Sequence, residues 1–165
     1  MQQIIFPFVT TDSYHQEEFI DSISNHEVYN KIKGWEKSWG TPPYEFSLLI
    51  YGAKSSGKTY LTKIWQNLSG AFIIKHDNIV HEDSLNDYQA FIIENIENWS
   101  EEAILHYFNL INEKQKYLLM TTSNLDLNFK LQDLLSRINS ILRLEIKSPD
   151  DELIRILLFK LFSNN

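Results

Sequence analysis

Cysteine is absent from the sequence. The chain therefore forms no disulfide, has no thiolate chemistry and holds no cysteine-bound zinc, and this composition suits a reducing, cytoplasmic location. No stretch reaches the roughly 20 consecutive apolar residues that a membrane-spanning helix needs. Residues 1–8 also lack the basic region and long apolar core of a signal peptide. We therefore expect a cytoplasmic protein that has no membrane partner.

Positive charge is scarce. There are 15 lysines and arginines against 22 aspartates and glutamates, and the net charge is −7. Because non-specific DNA binding depends largely on phosphate neutralisation by Lys and Arg, this balance argues against direct DNA binding. The five histidines are not spaced as metal ligands. No nucleophile elbow or Ser-His-Asp order is apparent either, so hydrolysis by such a triad is not expected.

Apolar sequence, by contrast, is plentiful. The 165 residues are 43% apolar, which is enough to bury a core and favours one domain. Residues 1–10 are predicted to form a flexible arm, because Pro7 interrupts regular pairing. Residues 11–165 are then expected to form a single nucleotide-binding domain, for the reasons that follow.

Apolar runs alternate with segments of helical spacing. The run 46–51 is nearly continuous, as in a strand buried on both faces of a parallel sheet. Further strands are predicted at 71–75, 90–93, 117–121 and 141–146. Helices are predicted at 16–35 with a break near 24–25, from Lys58 to Gly70, and at 101–113, 131–138 and 150–162. This alternation predicts an α/β fold, a parallel sheet flanked by helices.

A glycine-containing segment follows the first of these strands. It consists of Gly52, Ala53, Lys54, Ser55, Ser56, Gly57, Lys58 and Thr59, followed by Tyr60. This is the pattern of a P-loop, in which backbone N–H groups and a helix N-terminus surround phosphate oxygens. Lys58 is expected to reach the β and γ phosphates, and Thr59 to bind Mg²⁺. The sequence therefore predicts a P-loop NTPase fold.

An acid ends the predicted strand 90–93. Mg²⁺ in P-loop sites is held by such an acid on a neighbouring strand, and Glu94 is predicted to supply it. The next residue, Asn95, can orient a water but cannot take its proton. Intrinsic hydrolysis is therefore expected to be weak or absent. Glu97 is either a substitute for the missing acid or, as the spacing favours, a solvated acid at a helix start.

Two more polar residues lie near predicted strand ends. Asn124 follows strand 117–121, where it either contacts the γ phosphate or belongs to an ordinary polar turn. Arg137 precedes the last strand. It is either solvated or an arginine finger, which needs a rigid mounting to reach the nucleotide of a neighbouring subunit.

Together these motifs resemble the DnaA/Hda branch of the AAA+ ATPases. The resemblance is carried by Ser24-Asn25 and by the segments 50–52, 57–61, 93–97, 121–124 and 135–137. It implies that the nucleotide is ATP or ADP and that Ser24, Asn25 and Val28 lie near the adenine. It also implies that Asn124 is the first sensor, that Arg137 is the arginine finger and that Asn95 occupies the position of a hydrolytic acid.

Within this family, segment 93–97 looks more like Hda, the regulator that inactivates the initiator, than like DnaA. We expect no helical lid after 150–155 and, between 75 and 90, little room for the helix with which initiators engage single-stranded DNA. The arm is similar to the peptide by which Hda proteins bind the sliding clamp. The residues that carry this likeness are Gln3, Ile4, Phe6 and Phe8. The alternative is an arm that packs on its own domain.

The leading hypothesis is an Hda-like regulator of replication initiation whose partners are DnaA and the sliding clamp. It would offer Arg137 to the nucleotide of DnaA and promote hydrolysis there. The alternatives are a weak stand-alone ATPase and a clamp-binding adaptor that needs no nucleotide. A P-loop kinase is disfavoured because an arginine-rich lid is lacking. The sequence leaves the oligomeric state open, a homo-oligomer included.

Overall fold

The computed structural model describes residues 25–37, 39–77, 80–147 and 151–163. The predicted arm, with Gln3, Ile4, Phe6 and Phe8, lies outside these residues, as does Ser24. Within the described ranges the strands are β1 (Ser47–Tyr51), β2 (Phe72–Ile73), β3 (Ala90–Ile93), β4 (Tyr117–Thr122) and β5 (Leu142–Glu145). The α-helices there are α1 (His26–Lys33), α2 (Lys58–Ser69), α3 (Glu82–Leu85), α4 (Glu101–Glu113), α5 (Gln132–Ser140) and α6 (Asp151–Ser163).

The five strands form one sheet in the order β2-β3-β4-β1-β5. Every neighbouring pair is parallel, with Leu49 of β1 opposite Met120 of β4 on one side and Arg143 of β5 on the other. Parallel strands need crossovers, and α2, α4 and α5 lie between strands in the chain. The predicted α/β class is therefore confirmed, and the carboxyl ends of β1, β3 and β4 lie along one edge of the sheet.

Apolar side chains cover both faces of the sheet. Leu48 and Ile50 of β1 pack with Leu61 and Trp65 of α2, while Leu49 belongs to the core on the opposite face. The second core includes Ile104 and Phe108 of α4, Leu134 of α5 and Met120 of β4. Because successive strand residues face opposite sides, a strand buried on both faces must be apolar throughout, as 48–50 is.

The predicted and observed bounds agree fully for one strand and one helix. The predicted segments 90–93 and 101–113 match β3 and α4, and the left-handed Gly70 (φ 70°) ends α2 as expected. β2 is shorter than the predicted 71–75 and spans only Phe72–Ile73. None of the described helices is long and apolar enough to cross a membrane.

The one-turn helix α3 was not predicted. Four residues are too few to show helical periodicity, and its buried contact is made by Leu85 alone. A buried lysine holds the turn in place, since Lys116 Nζ donates to the carbonyl oxygens of Leu85 at 2.9 Å and Tyr88 at 2.7 Å. The segment between β2 and β3 therefore does contain a helix, although one of a single turn.

Candidate nucleotide site

The segment 52–59 joins β1 to α2. Two of its residues have left-handed backbones, Ser55 with φ 62° and Gly57 with φ 104°. A Cβ on Gly52 would lie 2.6 Å from the carbonyl oxygen of Ile146 and 2.9 Å from Ser56 Oγ. The loop therefore requires glycine at position 52 for close approach and favours it at position 57 for conformation. Both glycines of the motif have a physical reason.

Lys58 is the buried cation of this loop, with 7% of the residue exposed. Its Nζ donates to the carbonyl oxygens of Gly52 at 2.5 Å and Ala53 at 2.8 Å, and to Ser56 Oγ at 3.5 Å. Desolvation lowers the pKa of Lys58 below its ordinary 10.5, and the negative charge of Glu97 acts in the opposite direction. A poorly solvated ammonium whose partners are loop carbonyl and hydroxyl oxygens is well suited to bind an anion.

Glu94 follows β3 and is half-buried. Its Oε1 lies 2.7 Å from Thr62 Oγ1, which also lies 2.9 Å from the carbonyl oxygen of Thr59. The backbone oxygen of Glu94 accepts from Trp99 Nε1 at 3.1 Å. The side chain of Glu94 is thereby held at the first turns of α2, beside the residue predicted to bind Mg²⁺.

Asn95 and Glu97 lie just beyond Glu94. Asn95 is exposed and left-handed (φ 55°), and its backbone N–H donates to Thr121 Oγ1 at 3.0 Å. The carboxylate of Glu97 accepts from Ser123 Oγ at 2.8 Å and from Ser123 N at 3.3 Å. Glu97 is therefore not simply a solvated acid, because the fold brings the end of β4 against it.

The pKa of Glu97 reflects two opposing influences. Partial burial acts to raise it, but hydrogen bonds from its own backbone, from Ser123 and from Thr122 outweigh that effect. The result is a pKa below the ordinary 4.5, so the group is a carboxylate at neutral pH. This negative charge acts to raise the pKa of Lys58.

Asn124 and Arg137 occupy different parts of the molecule. Asn124 is exposed after β4, and its Oδ1 accepts from the backbone N–H of Asp126 at 2.9 Å. Arg137 is partly exposed on α5, where Nη1 donates to the carbonyl oxygen of Asp133 at 3.1 Å. Asn25 is buried at the start of α1, and Val28 packs in the core below. The roles predicted for these residues remain predictions.

The residues present fit a nucleotide phosphate with Mg²⁺. Lys58 supplies a buried ammonium, and the exposed Thr59 and half-buried Glu94 supply oxygen donors of the kind that Mg²⁺ prefers. Over the described ranges, no group of three His, Asp or Glu side chains is arranged to hold a metal by itself. Mg²⁺ would therefore need the phosphate oxygens as well.

Two residues that hydrogen-bond to the acids of the candidate site were not singled out from the sequence. Thr62 lies in an ordinary helical position of α2, and Ser123 reads as a turn residue. The sequence shows only a threonine beside Leu61 in a predicted helix, and its full burial became visible in the structure. Its partner is 32 residues away and could not be foreseen.

The strand order, the loop at the end of β1 and the helix after it define an α/β P-loop NTPase fold of the AAA+ type. The sequence matches no protein-family model and has no significant similarity to a curated protein.

Solved structures with this fold include DnaA proteins. AMPPCP-bound DnaA from Aquifex aeolicus superposes with a TM-score of 0.74 at 18% identity, over 91% of this chain and 55% of that one. Domain III of the Thermotoga maritima replication initiation protein DnaA gives 0.71 at 18% identity, over 91% of this chain and 73% of that one. A putative primosome component from Streptococcus pyogenes gives 0.62 at 16% identity, over 82% and 85%. The chain thus spans about half the length of the Aquifex protein.

Proposed function

We propose that this chain binds ATP or ADP with Mg²⁺ in the loop 52–59 and acts as an Hda-like regulator of replication initiation. The observation that carries the proposal is Lys58, a buried ammonium held by loop carbonyls at the N-terminus of α2. Phosphate oxygens can replace those carbonyls as acceptors, and the helix terminus adds unpaired N–H donors. The likeness in fold to DnaA supports the choice of an adenine nucleotide.

The metal would neutralise charge on the β and γ phosphates when bound. Thr59 and Glu94 are the residues of this chain that would hold it. The N-terminal residues of α1, with Ser24 and Asn25, are proposed to lie near the adenine, as the resemblance implies. Asn124 is proposed to donate from Nδ2 to the γ phosphate, while its Oδ1 keeps the hydrogen bond from the Asp126 N–H.

The nucleotide of this chain is proposed to be structural. Asn95 cannot accept a proton from water, and its left-handed backbone holds it at the exposed end of β3. Arg137 instead acts on the nucleotide of DnaA. Arg137 is partly exposed, and among the contacts described its guanidinium is bonded only within its own helix. It can therefore give up that bond and bind a phosphate of a partner protein.

The arm is proposed to tether the chain to the sliding clamp through Gln3, Ile4, Phe6 and Phe8. A short peptide with apolar anchors suits insertion into an apolar pocket. Clamp pulldown with Ile4→Ala and Phe6→Ala together tests this part alone. Retention of the double variant by the clamp would refute it.

A specific observation favours a second candidate function, a stand-alone ATPase. Glu97 is a carboxylate bonded to Ser123 after β4, and its negative charge acts on the pKa of Lys58, so a proton acceptor is present at the carboxyl end of the sheet. Steady-state ATP turnover by the isolated chain that is lost in Glu97→Gln would establish this function in place of the regulatory one.

Titration with fluorescent ADP and ATP, with and without Mg²⁺, tests the nucleotide site. Lys58→Ala is expected to weaken binding at least about 100-fold, since it removes a charge-assisted contact from a desolvated site. Lys63→Ala, a lysine on the same helix, is the matched control and should bind like the wild type. No saturable binding by the wild type would refute the proposal and leave the adaptor hypothesis.

Stimulation of DnaA ATPase tests the regulatory role. Arg137→Ala is expected to lower stimulation about 1000-fold, in the range that an arginine finger contributes. Arg143→Ala removes an exposed arginine from the neighbouring β5 and should leave stimulation intact. Equal stimulation by Arg137→Ala and the wild type would exclude the arginine-finger role.

A further inference from the structure

Thr62 occupies an unusual place for a polar side chain. It lies in the second turn of α2 and is fully buried. The residues around it on this helix, Leu61, Ile64 and Trp65, are buried apolar core residues. A hydroxyl in such surroundings is costly unless it is hydrogen-bonded, so its partners indicate what it does.

The hydroxyl of Thr62 has two acceptors within reach. The carbonyl oxygen of Thr59 is 2.9 Å away, which is the usual local bond of a helical threonine. The second, Glu94 Oε1 at 2.7 Å, comes from a different element and is not explained by helix geometry. The hydroxyl has one proton, which it can donate to the backbone of Thr59 or, over the shorter distance, to the carboxylate of Glu94.

The length of the Glu94 side chain gives a physical reason for this contact. The acid at this position of a P-loop site is usually aspartate, and glutamate has one more methylene group and one more rotatable bond. A longer carboxylate reaches farther but is less well fixed, and fixing its rotamer costs side-chain entropy. A buried donor on α2 restrains it to the side on which Thr59 lies.

We infer that Thr62 is a positioning residue for the metal ligand Glu94. It holds the carboxylate next to Thr59, so that both oxygen donors of this chain are in place before Mg²⁺ and nucleotide arrive. This inference rests on the proposed nucleotide site and adds to it a residue that touches neither nucleotide nor metal. The inference explains two features together: a buried threonine at position 62, and a glutamate at position 94 where aspartate is usual.

The test measures the affinity for fluorescent ADP as Mg²⁺ is added. The Mg²⁺ midpoint is the Mg²⁺ concentration at which the increase in affinity is half complete. Thr62→Val replaces the hydroxyl by a methyl group of similar size, and should raise this concentration about tenfold, the lower range for a hydrogen bond to a charged group. Affinity for ADP in EDTA should be unchanged. Thr62→Ser keeps the hydroxyl and should behave like the wild type.

A purely structural role for Thr62 predicts another pattern. Thr62→Val would then change the unfolding temperature and leave the Mg²⁺ midpoint where it is in the wild type, and this result overturns the inference. Thr62→Ala serves if the valine variant does not fold, with the same expectation and the same refuting result.

Glu94→Asp supplies an independent check. The shorter carboxylate is drawn away from Thr62, so adding Thr62→Val to it should shift the Mg²⁺ midpoint no further. An additional tenfold shift in the double variant would show that Thr62 acts through some other group, and would overturn the inference.

If the wild type binds no nucleotide, the proposed function fails, and this inference with it. If it binds with a normal Mg²⁺ response that is unaltered by Thr62→Val, only the inference fails.

Discussion

Glu97 shows how a single residue acquires its properties from the fold. Its carboxylate would be an ordinary surface acid without β4, but Ser123 donates two hydrogen bonds to it. These bonds favour the charged form and lower the pKa of Glu97, and the resulting negative charge acts to raise the pKa of Lys58. The charge of Glu97 therefore depends on the end of β4 and in turn influences the lysine of the loop 52–59.

The lowered pKa of Glu97 predicts a pH-dependent contribution to stability. A carboxylate whose pKa in the folded state lies below its unfolded value stabilises the fold above the unfolded value of 4.5. This contribution is lost as the pH falls through the folded pKa. The free energy of unfolding should therefore differ between wild type and Glu97→Gln at pH 7, and the difference should shrink below pH 4.5.

Urea denaturation at several pH values measures this difference. Glu102→Gln changes an exposed acid in α4 and is the matched control, for which little pH dependence of the difference is expected. A Glu97→Gln difference that stays constant from pH 7 to pH 3 would contradict the prediction.

Gly52 carries a second prediction at this scale. Gly52→Ala places a Cβ 2.6 Å from the carbonyl oxygen of Ile146, so either the loop or the segment after β5 must shift. Thermal or urea unfolding should show a loss of about 2 kcal/mol, as for overpacking elsewhere, together with weaker ADP binding.

Gly34→Ala is the control for that variant. Its Cβ would lie 3.4 Å from the carbonyl oxygen of Asn30, and Gly34 has φ −95°, which alanine tolerates. A change within about 0.5 kcal/mol is expected there. Equal effects of the two substitutions would mean that close packing does not explain glycine at position 52.

At the scale of elements, α4 and α5 are joined by an acid rather than by apolar packing alone. Glu101, in the first turn of α4, accepts from the backbone N–H groups of Lys130 (2.5 Å) and Leu131 (3.0 Å). These groups belong to Leu131, the N-cap residue of α5, and to the residue before it, and α5 has no side-chain cap of its own. Glu101 thus caps the helix that carries Arg137 from outside it.

Glu101→Ala should lower the free energy of unfolding by about 1 kcal/mol, as removal of a helix cap does. It should also speed amide exchange at the start of α5. Hydrogen exchange and urea denaturation measure both effects, with the neighbouring Glu102→Ala as the control. The capping role is wrong if exchange in α5 is the same in the two variants.

At the scale of the whole molecule, the sheet decides which residues meet. The order β3-β4-β1 places the end of β4 between the phosphate loop and Glu94. The polar residues after three different strands therefore lie along one edge, where open α/β sheets bind their ligands.

The surface of α6 differs from the other described helices. Leu158, Phe159 and Phe162 are 48%, 75% and 77% exposed, and together they form an apolar stripe on one side of the helix. Exposed apolar side chains in a contiguous group bind apolar probes. The combined change Phe159→Gln and Phe162→Gln should therefore lower ANS fluorescence, and should alter stability by no more than about 0.5 kcal/mol.

Leu68→Gln is the matched control for the stripe, because Leu68 is a singly exposed leucine on α2 (42%). It should change ANS fluorescence less than the α6 variant does. Undiminished fluorescence in the α6 variant would show that the dye binds elsewhere.

Local pattern determined much of this protein. The apolar run of β1, the glycines and lysine of the loop, and the helical spacing of α2 and α4 are each contained in one short segment, so periodicity and motif spacing predicted them. The α/β class followed from their alternation. The identity of Glu94 as an acid at a strand end was also visible, because it requires only a strand and the residue after it.

Only the tertiary structure decided the contacts between segments. Thr62 meets Glu94 across 32 residues, Glu97 meets Ser123 across 26, and Glu101 meets Leu131 across 30. Each contact depends on the order in which the strands pair, and strand order leaves no periodic trace in the chain. The sequence by itself thus determined the parts of the candidate site, and the sheet determined which of them are held together, because hydrogen bonds depend on distance in space and not along the chain.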